Sequence, residues 1–238
     1  MARPDHLGDA LLSLPAVAAL KRALPRARIT YVVSPALRDV VLRCPYVDEV
    51  RCVAFPDMAT GREPEPWSDA VARASRELQG RFDAAILFRP DDPWCGRLVA
   101  EAEVPVRIGF DMPRTRPHLT DALAERRDRH VAEAALELTQ AAAGRLGVDV
   151  PLGRSVPRDL LVASPQDEQE AGDAVDDPDP VLLHPSSSWR LKNWQVQRWG
   201  ALAARLRERF GVTPLISDAP GEAAVVAAVV AHSHGAAA

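Results

Sequence analysis

Residues 181–199, VLLHPSSSWRLKNWQVQRW, hold the side chains best suited to chemistry. A short apolar run ends at His184, and Pro185, Ser186, Ser187 and Ser188 follow it. Lys192 then stands just ahead of a segment with helical spacing. A strand, a hydroxyl-rich loop, a cation and a helix start together describe an anion site. The unpaired N–H groups of the first helical turn point at the ligand, and the helix dipole favours negative charge there. Lysine usage sharpens this reading, because the 29 Lys+Arg residues include only two lysines, Lys21 and Lys192. A chain that uses arginine for its generic cations has placed a compact ammonium beside a serine loop. Phosphate binding is the functional reading; a solvated lysine ahead of a core-packed helix is the plain one.

A second segment, residues 3–20, reads RPDHLGDALLSLPAVAAL. Gly8 permits a tight turn and Asp9 stands where a helix begins, so spacing alone assigns Asp9 to an N-cap. His6 reads as a loop histidine. Asp91 and Asp92 follow a strand end, where α/β folds bind ligands, yet they read first as an exposed loop. Arg114 and Arg116, around Thr115, suit anionic groups or a solvated loop equally. Trp189, Trp194 and Trp199 offer stacking surfaces, the latter two being spaced for the core. His232 and His234 lack further ligands and read as part of a frayed tail, so no metal site is expected.

The elements that must position these groups alternate. Strand patterns at residues 29–34, 48–55, 82–88 and 106–110 are separated by helical segments at 11–24, 36–43, 68–79 and 94–102. A long amphipathic helix spans 129–146. In the helix at 11–24, Pro15 is tolerable only near the first turn. Residues 56–66 form a proline-rich loop. This order predicts an α/β protein, a parallel sheet with helices on both faces. Three stretches follow: residues 1–150 as a first domain, 151–178 as a proline-rich, acidic linker with a helical patch at 166–175, and 179–238 as a second unit. The second unit shows strands at 181–184 and 212–217 and helices at 196–210 and 222–231. It has two strands where a doubly wound domain carries about six, and no strand precedes Arg3, so the chain reads as truncated.

Composition narrows the field. The 238 residues are 47% hydrophobic and 26% charged, ordinary for a soluble protein. A net charge of −4 argues against duplex nucleic acid as a partner. No run approaches the roughly 18 apolar residues of a transmembrane segment, and the start lacks a signal peptide's apolar region. Cys44, Cys52 and Cys95 are scattered without CxxC pairing, which fits reduced thiols and a cytoplasmic protein.

Taken together, RPDHLGD, FDAAILF, VPVRIGF, the helix after Arg129-His130, and HPSSSWRLKNW resemble glycosyltransferase family 9, the ADP-heptose:lipopolysaccharide heptosyltransferases. Arg3 to Asp9 resembles that family's R-x-D-x-x-G-D opening, and His184 to Trp194 its H-P-G-x-x-x-x-K-x-W block. The resemblance implies the GT-B architecture, two Rossmann-like parallel-sheet domains of which the second is here incomplete. It implies inverting transfer of a sugar, heptose in the family, from an ADP-sugar donor to a saccharide or glycolipid acceptor, as in lipopolysaccharide core synthesis. No cofactor or metal is needed, and a peripheral contact with the inner membrane is expected. Asp9 corresponds to the general base, Ser186, Ser187 and Ser188 to diphosphate contacts, Lys192 to the cation on the leaving nucleotide and Glu222 to a ribose-binding acid. Without the resemblance, Glu222 is an ordinary first-turn acid. The chain departs from the pattern at Ser186, which replaces a glycine, at residues 217–221, which lack a glycine pair, and in having no D-S/T-G-x-x-H block. Two other readings stand beside this one: a catalytically inactive remnant or binding protein, and a GT-B nucleotide-sugar epimerase.

Overall fold

A computed structural model describes residues 1–55, 69–126, 128–150, 157–175, 180–187, 190–217 and 221–237. The expected loop at 56–66, residues 151–156 and 176–178 of the expected linker, and Ser188 and Trp189 lie outside the described residues. The chain forms two compact units, Met1–Ser164 and Pro165–Ala238.

The first unit is built on alternating burial along short parallel strands. Strand β1 (Thr30–Val33) pairs in parallel with β2 (Glu49–Cys52). Strands β3 (Ala84–Ile86), β4 (Val106–Phe110) and β5 (Asp121–Leu123) form a second parallel set, in that order. Residues 1–3 join the two. Ala2 bridges to Val32 on one side and Leu87 on the other, both in parallel sense. Ala2 N donates to Ile86 O at 2.9 Å and Arg3 N to Val32 O at 3.2 Å. The sequence reading expected no strand before Arg3, because three residues are too few to show a period. With these residues counted as the first strand, the spatial order is 3-2-1-4-5-6, the doubly wound arrangement. Strand order therefore reverses between residues 1–3 and β3.

Successive side chains on a strand point to opposite faces, and the two cores follow that rule. Tyr31, Val33, Ile86, Phe88, Ile108 and Phe110 pack on one face with α1 (Leu7–Ala23), α2 (Arg38–Leu42) and α5 (Val131–Arg145). Ala2, Val32, Ala85 and Leu87 pack on the other with α3 (Asp69–Leu78) and α4 (Pro93–Glu101). Helix α1 starts four residues earlier than its periodicity suggested, so Pro15 sits well inside it. An interior proline costs roughly 3 kcal/mol. Complete burial of Leu14, Ala16, Val17 and Ala18 against the sheet and α5 offsets that cost. Strand β5 escaped the sequence reading because three half-buried residues carry no apolar run.

The second unit contains α6 (Pro165–Ala174), β6 (Leu182–Leu183), α7 (Val196–Phe210), β7 (Leu215–Ile216) and α8 (Ala223–His232). Strands β6 and β7 are parallel. Its fully buried apolar side chains are few among the described residues: Leu183, Ala203, Val229, Ala236 and Ala237. The tail, expected to fray, is held instead: Ala237 N donates to Ser233 Oγ at 3.2 Å and Arg207 donates to Gly235 O. Helix α7 ends on Gly211 at φ +70°, a left-handed C-cap that a glycine adopts without strain. Helices α7 and α8 meet at Gly200, where an added Cβ would lie 2.5 Å from the His232 backbone. Gly200→Ala is therefore expected to destabilise the protein by about 1–3 kcal/mol through overpacking. Gly172→Ala, whose methyl would meet open space on α6, should stabilise it by roughly 0.5–1 kcal/mol. Urea titrations of the two variants give the comparison.

Candidate functional site

In an open parallel sheet, ligands bind outside the carboxyl ends of the strands where strand order reverses. At that point in the first unit stand Arg3, Asp5, Asp9 and Arg89. Arg3 follows the two-sided pairing of Ala2, and its Nη1 donates to Phe88 O at 2.7 Å. Arg3 Nε lies 2.8 Å from Asp5 Oδ1, and Nη2 lies 3.0 Å from Asp9 Oδ1. Arg89 approaches the other Asp5 oxygen at 3.9 Å. The Arg3 and Asp5 side chains are 6% and 8% exposed, whereas Asp9 is 30% exposed. Of the two carboxylates, Asp9 is the one open to a ligand.

Spacing alone gave Asp9 to an N-cap, and the geometry differs. The N-cap is His6, with no side-chain capping bond, and Asp9 is the third helical residue. Its carboxylate faces Arg3 across the turn. The exposed residues His6, Leu7 and Gly8 leave this first turn open. Beneath it, Tyr31 is fully buried with its hydroxyl 2.5 Å from Ser13 Oγ. Ser13 donates to Ala10 O at 2.6 Å, so Tyr31 is the donor between the two. Burial pushes the Tyr31 phenol well above its ordinary range, which keeps that donor proton in place.

The neighbouring loop is more buried than its charges implied. Asp92 is inaccessible to solvent and caps α4, accepting from Cys95 N at 3.0 Å. Its own N–H donates to Thr115 Oγ1 at 2.6 Å. Burial raises the Asp92 carboxyl above its usual range, although the Cys95 backbone N–H, the Cys95 thiol and Arg89 oppose the shift. Arg114 pairs with Asp91 at 2.9 Å and Arg116 with Asp111 at 3.7 Å. These groups lock one strand-end loop to the next, so the exposed-loop reading of Asp92 is corrected. A proline at the start of the following helix was the signal for the cap.

In the second unit the candidate groups gather at the carboxyl ends of β6 and β7. His184 Nδ1 and Ser217 Oγ, one from each strand end, are 2.9 Å apart. Ser186 is 8% exposed, and its hydroxyl is buried without a hydrogen-bond partner among the described residues. A buried polar atom left in this way costs about 1–3 kcal/mol. Asn193 Nδ2 donates to Ser187 O at 3.2 Å, holding the loop. Exposed Lys192 closes a 3₁₀ turn, Arg190–Lys192, and α7 begins after Gln195, which supplies no side-chain cap. Glu222 is the N-cap residue of α8, also without a side-chain capping bond. Ser188 lies outside the described residues. Trp194 and Trp199 meet edge to face at 5.4 Å, but Trp194 is 45% exposed. The core reading therefore does not hold for Trp194, which precedes the helix and lies beside Arg198.

Among the described residues no group of three or more His, Cys, Asp or Glu is placed to hold a metal. No described helix is long and apolar enough to cross a membrane. Arg3 and Asp5 were visible as part of a motif, but the ion pair from Arg3 to Asp9 was not. No local pattern signals it, because the pair spans the bend at Asp5 and the start of α1.

The family model for glycosyltransferase family 9 (heptosyltransferase) matches residues 71–237. No match to a curated protein was found. Among solved structures, the glycosyl transferase family 9 protein of Veillonella parvula is 22% identical with a TM-score of 0.75, over 97% of this chain and 64% of that one. The E. coli heptosyltransferase WaaC, solved with ADP-2-deoxy-2-fluoro heptose, is 18% identical with a TM-score of 0.72, over 96% of this chain and 71% of that one. E. coli ADP-heptose lps heptosyltransferase II is 17% identical with a TM-score of 0.70, over 97% of this chain and 67% of its own. The chain thus has their α/β fold of the GT-B type and spans 64% of the length of the Veillonella protein.

Proposed function

The chain belongs to glycosyltransferase family 9, and from that premise we propose that it transfers a sugar from an ADP-linked donor to a saccharide hydroxyl with inversion. The observation that carries this reading is the Asp9 carboxylate, partly exposed at the reversal point and held by Arg3 rather than by its own helix. In the proposed reaction the acceptor hydroxyl gives its proton to Asp9. Its oxygen forms a bond to the anomeric carbon from the face opposite the leaving group. The bond from that carbon to the β-phosphate oxygen breaks, and its electron pair leaves with ADP. A base acting in this way contributes about 10²–10⁴-fold.

The donor end is assigned to Ser186, Ser187, Ser188, Lys192 and Glu222. The orphaned Ser186 hydroxyl and the α7 start without a side-chain cap suit a diphosphate, since a helix N-terminus presents N–H groups and positive potential. Lys192 neutralises charge growing on the departing phosphate, and Glu222 accepts from the ribose hydroxyls. Heptose is the proposed sugar because WaaC was solved with an ADP-heptose analogue. A lipopolysaccharide core saccharide is the proposed acceptor, reached from the cytoplasmic side with peripheral contact at the inner membrane.

Calorimetric titration with ADP, followed by ADP release from ADP-heptose with a deacylated core saccharide, tests the reading. Micromolar ADP binding and acceptor-dependent ADP release are expected. ADP binding without release would make the chain a binding protein, and acceptor-independent turnover of a UDP-sugar would make it an epimerase. Either result overturns the transfer reading.

A further inference from the structure

We propose that Arg3 is the positioning residue of this site, a buried guanidinium that anchors one oxygen of the Asp9 carboxylate and leaves the other for the acceptor hydroxyl. The inference rests on Asp9 being the general base. Arg3 reaches three pieces of the fold: it donates to Phe88 O after β3 at 2.7 Å, and it forms ion pairs with Asp5 Oδ1 at 2.8 Å and with Asp9 Oδ1 in the first turn of α1 at 3.0 Å. Backbone pairing of Ala2 already fixes the strand, so the architecture does not need a buried charge here. Burying an arginine with carboxylates rarely improves stability over apolar packing, which makes the arrangement costly unless it serves the site.

The division of labour between the two carboxylates is unequal. Asp5 lies between Arg3 and Arg89 and is 8% exposed, so it serves as the counter-charge that lets Arg3 remain buried. Asp9 approaches Arg3 through Oδ1, 3.0 Å from Nη2, and its side chain is 30% exposed. The ion pair draws Oδ1 toward the buried guanidinium, and in that orientation Oδ2 is the oxygen offered to the acceptor hydroxyl. A base released from such an anchor loses alignment, and a displacement of about 1 Å can cost about 10²-fold in rate. Lysine cannot replace this function. Its single ammonium on a flexible stem lacks the planar fork that spans several acceptors at once.

Arg3→Lys keeps the charge and tests the role. Crystals of the variant are expected to show the Asp9 carboxylate in more than one orientation. With ADP-heptose and a deacylated core saccharide, kcat should fall about 30- to 100-fold while KM for ADP-heptose stays within threefold. A single, unmoved Asp9 carboxylate with wild-type kcat per folded molecule would overturn the inference, even if the melting temperature dropped. If the lysine variant does not fold, Arg3→Gln, shorter and uncharged, carries the same comparison. Asp9→Asn separates this inference from its premise. An inactive Asp9→Asn beside a fully active Arg3→Lys removes the positioning role and keeps the base. An active Asp9→Asn removes the base, and the role of Arg3 with it.

Discussion

Asp9→Asn is expected to lower transfer about 10³-fold while leaving ADP affinity within threefold and the fold intact. Asparagine has the same shape, and its amide oxygen still meets Arg3, but it cannot take a proton at neutral pH. The groups assigned to ADP are residues of the second unit, so the substitution touches none of them. Stability should hardly move. Asp9 makes no capping bond, Arg3 keeps Asp5 as its counter-charge, and the negative charge lost from the first helical turn contributes about 0.3–1 kcal/mol. For a chain of this length that corresponds to a melting shift of no more than about 4 °C. Activity assays, ADP calorimetry and thermal unfolding on one preparation therefore distinguish the two roles. A cap loses stability and keeps activity, whereas a base does the reverse. Retained turnover in Asp9→Asn would sink the assignment.

The sequence and the structure agree most closely where a period was long enough to read. Helix α7 and strand β4 have the bounds their patterns predicted. Residues whose burial depends on distant partners were less legible. Asp92 looked like a loop acid because nothing local reveals that Thr115, 23 positions away, closes over it. Pro15 argued for a later helix start, and only tertiary burial of the flanking Leu14 and Val17 explains why α1 runs through it. Residues 1–3 and β5 carry too few side chains for alternation to appear, yet they complete the strand order that defines the reversal point. The site shows the same limit. The types and spacing of Arg3, Asp5 and Asp9 were plain, but their sharing of one guanidinium depends on the bend at Asp5 that leads into α1. On the donor side, the serine run was legible and the orphaned Ser186 hydroxyl was not, since an unmet hydrogen bond is a property of the folded loop alone.

That orphaned hydroxyl bears on the second large effect, the loss of ADP affinity in Lys192→Ala. A charge-assisted contact to a phosphate contributes about 1.5–3 kcal/mol, so removing the ammonium should weaken ADP binding about 10- to 150-fold. Lys192 is exposed at the end of a 3₁₀ turn, outside α7, whose packing on α8 runs through Gly200. The substitution should therefore leave the unfolding midpoint unchanged. Ionic strength gives a further check. An exposed cation acting on a diphosphate is screened within about 10 Å at 0.1 M salt, so ADP affinity in the unsubstituted chain should fall as salt rises, and in Lys192→Ala it should fall less steeply. Adenosine, which lacks the phosphates, should bind both proteins alike. Equal ADP affinity in the two proteins would remove Lys192 from the donor site and leave the anion reading to the serines and the helix start. In that case Ser186, buried and without a hydroxyl partner among the described residues, becomes the residue whose replacement by alanine must lower ADP affinity.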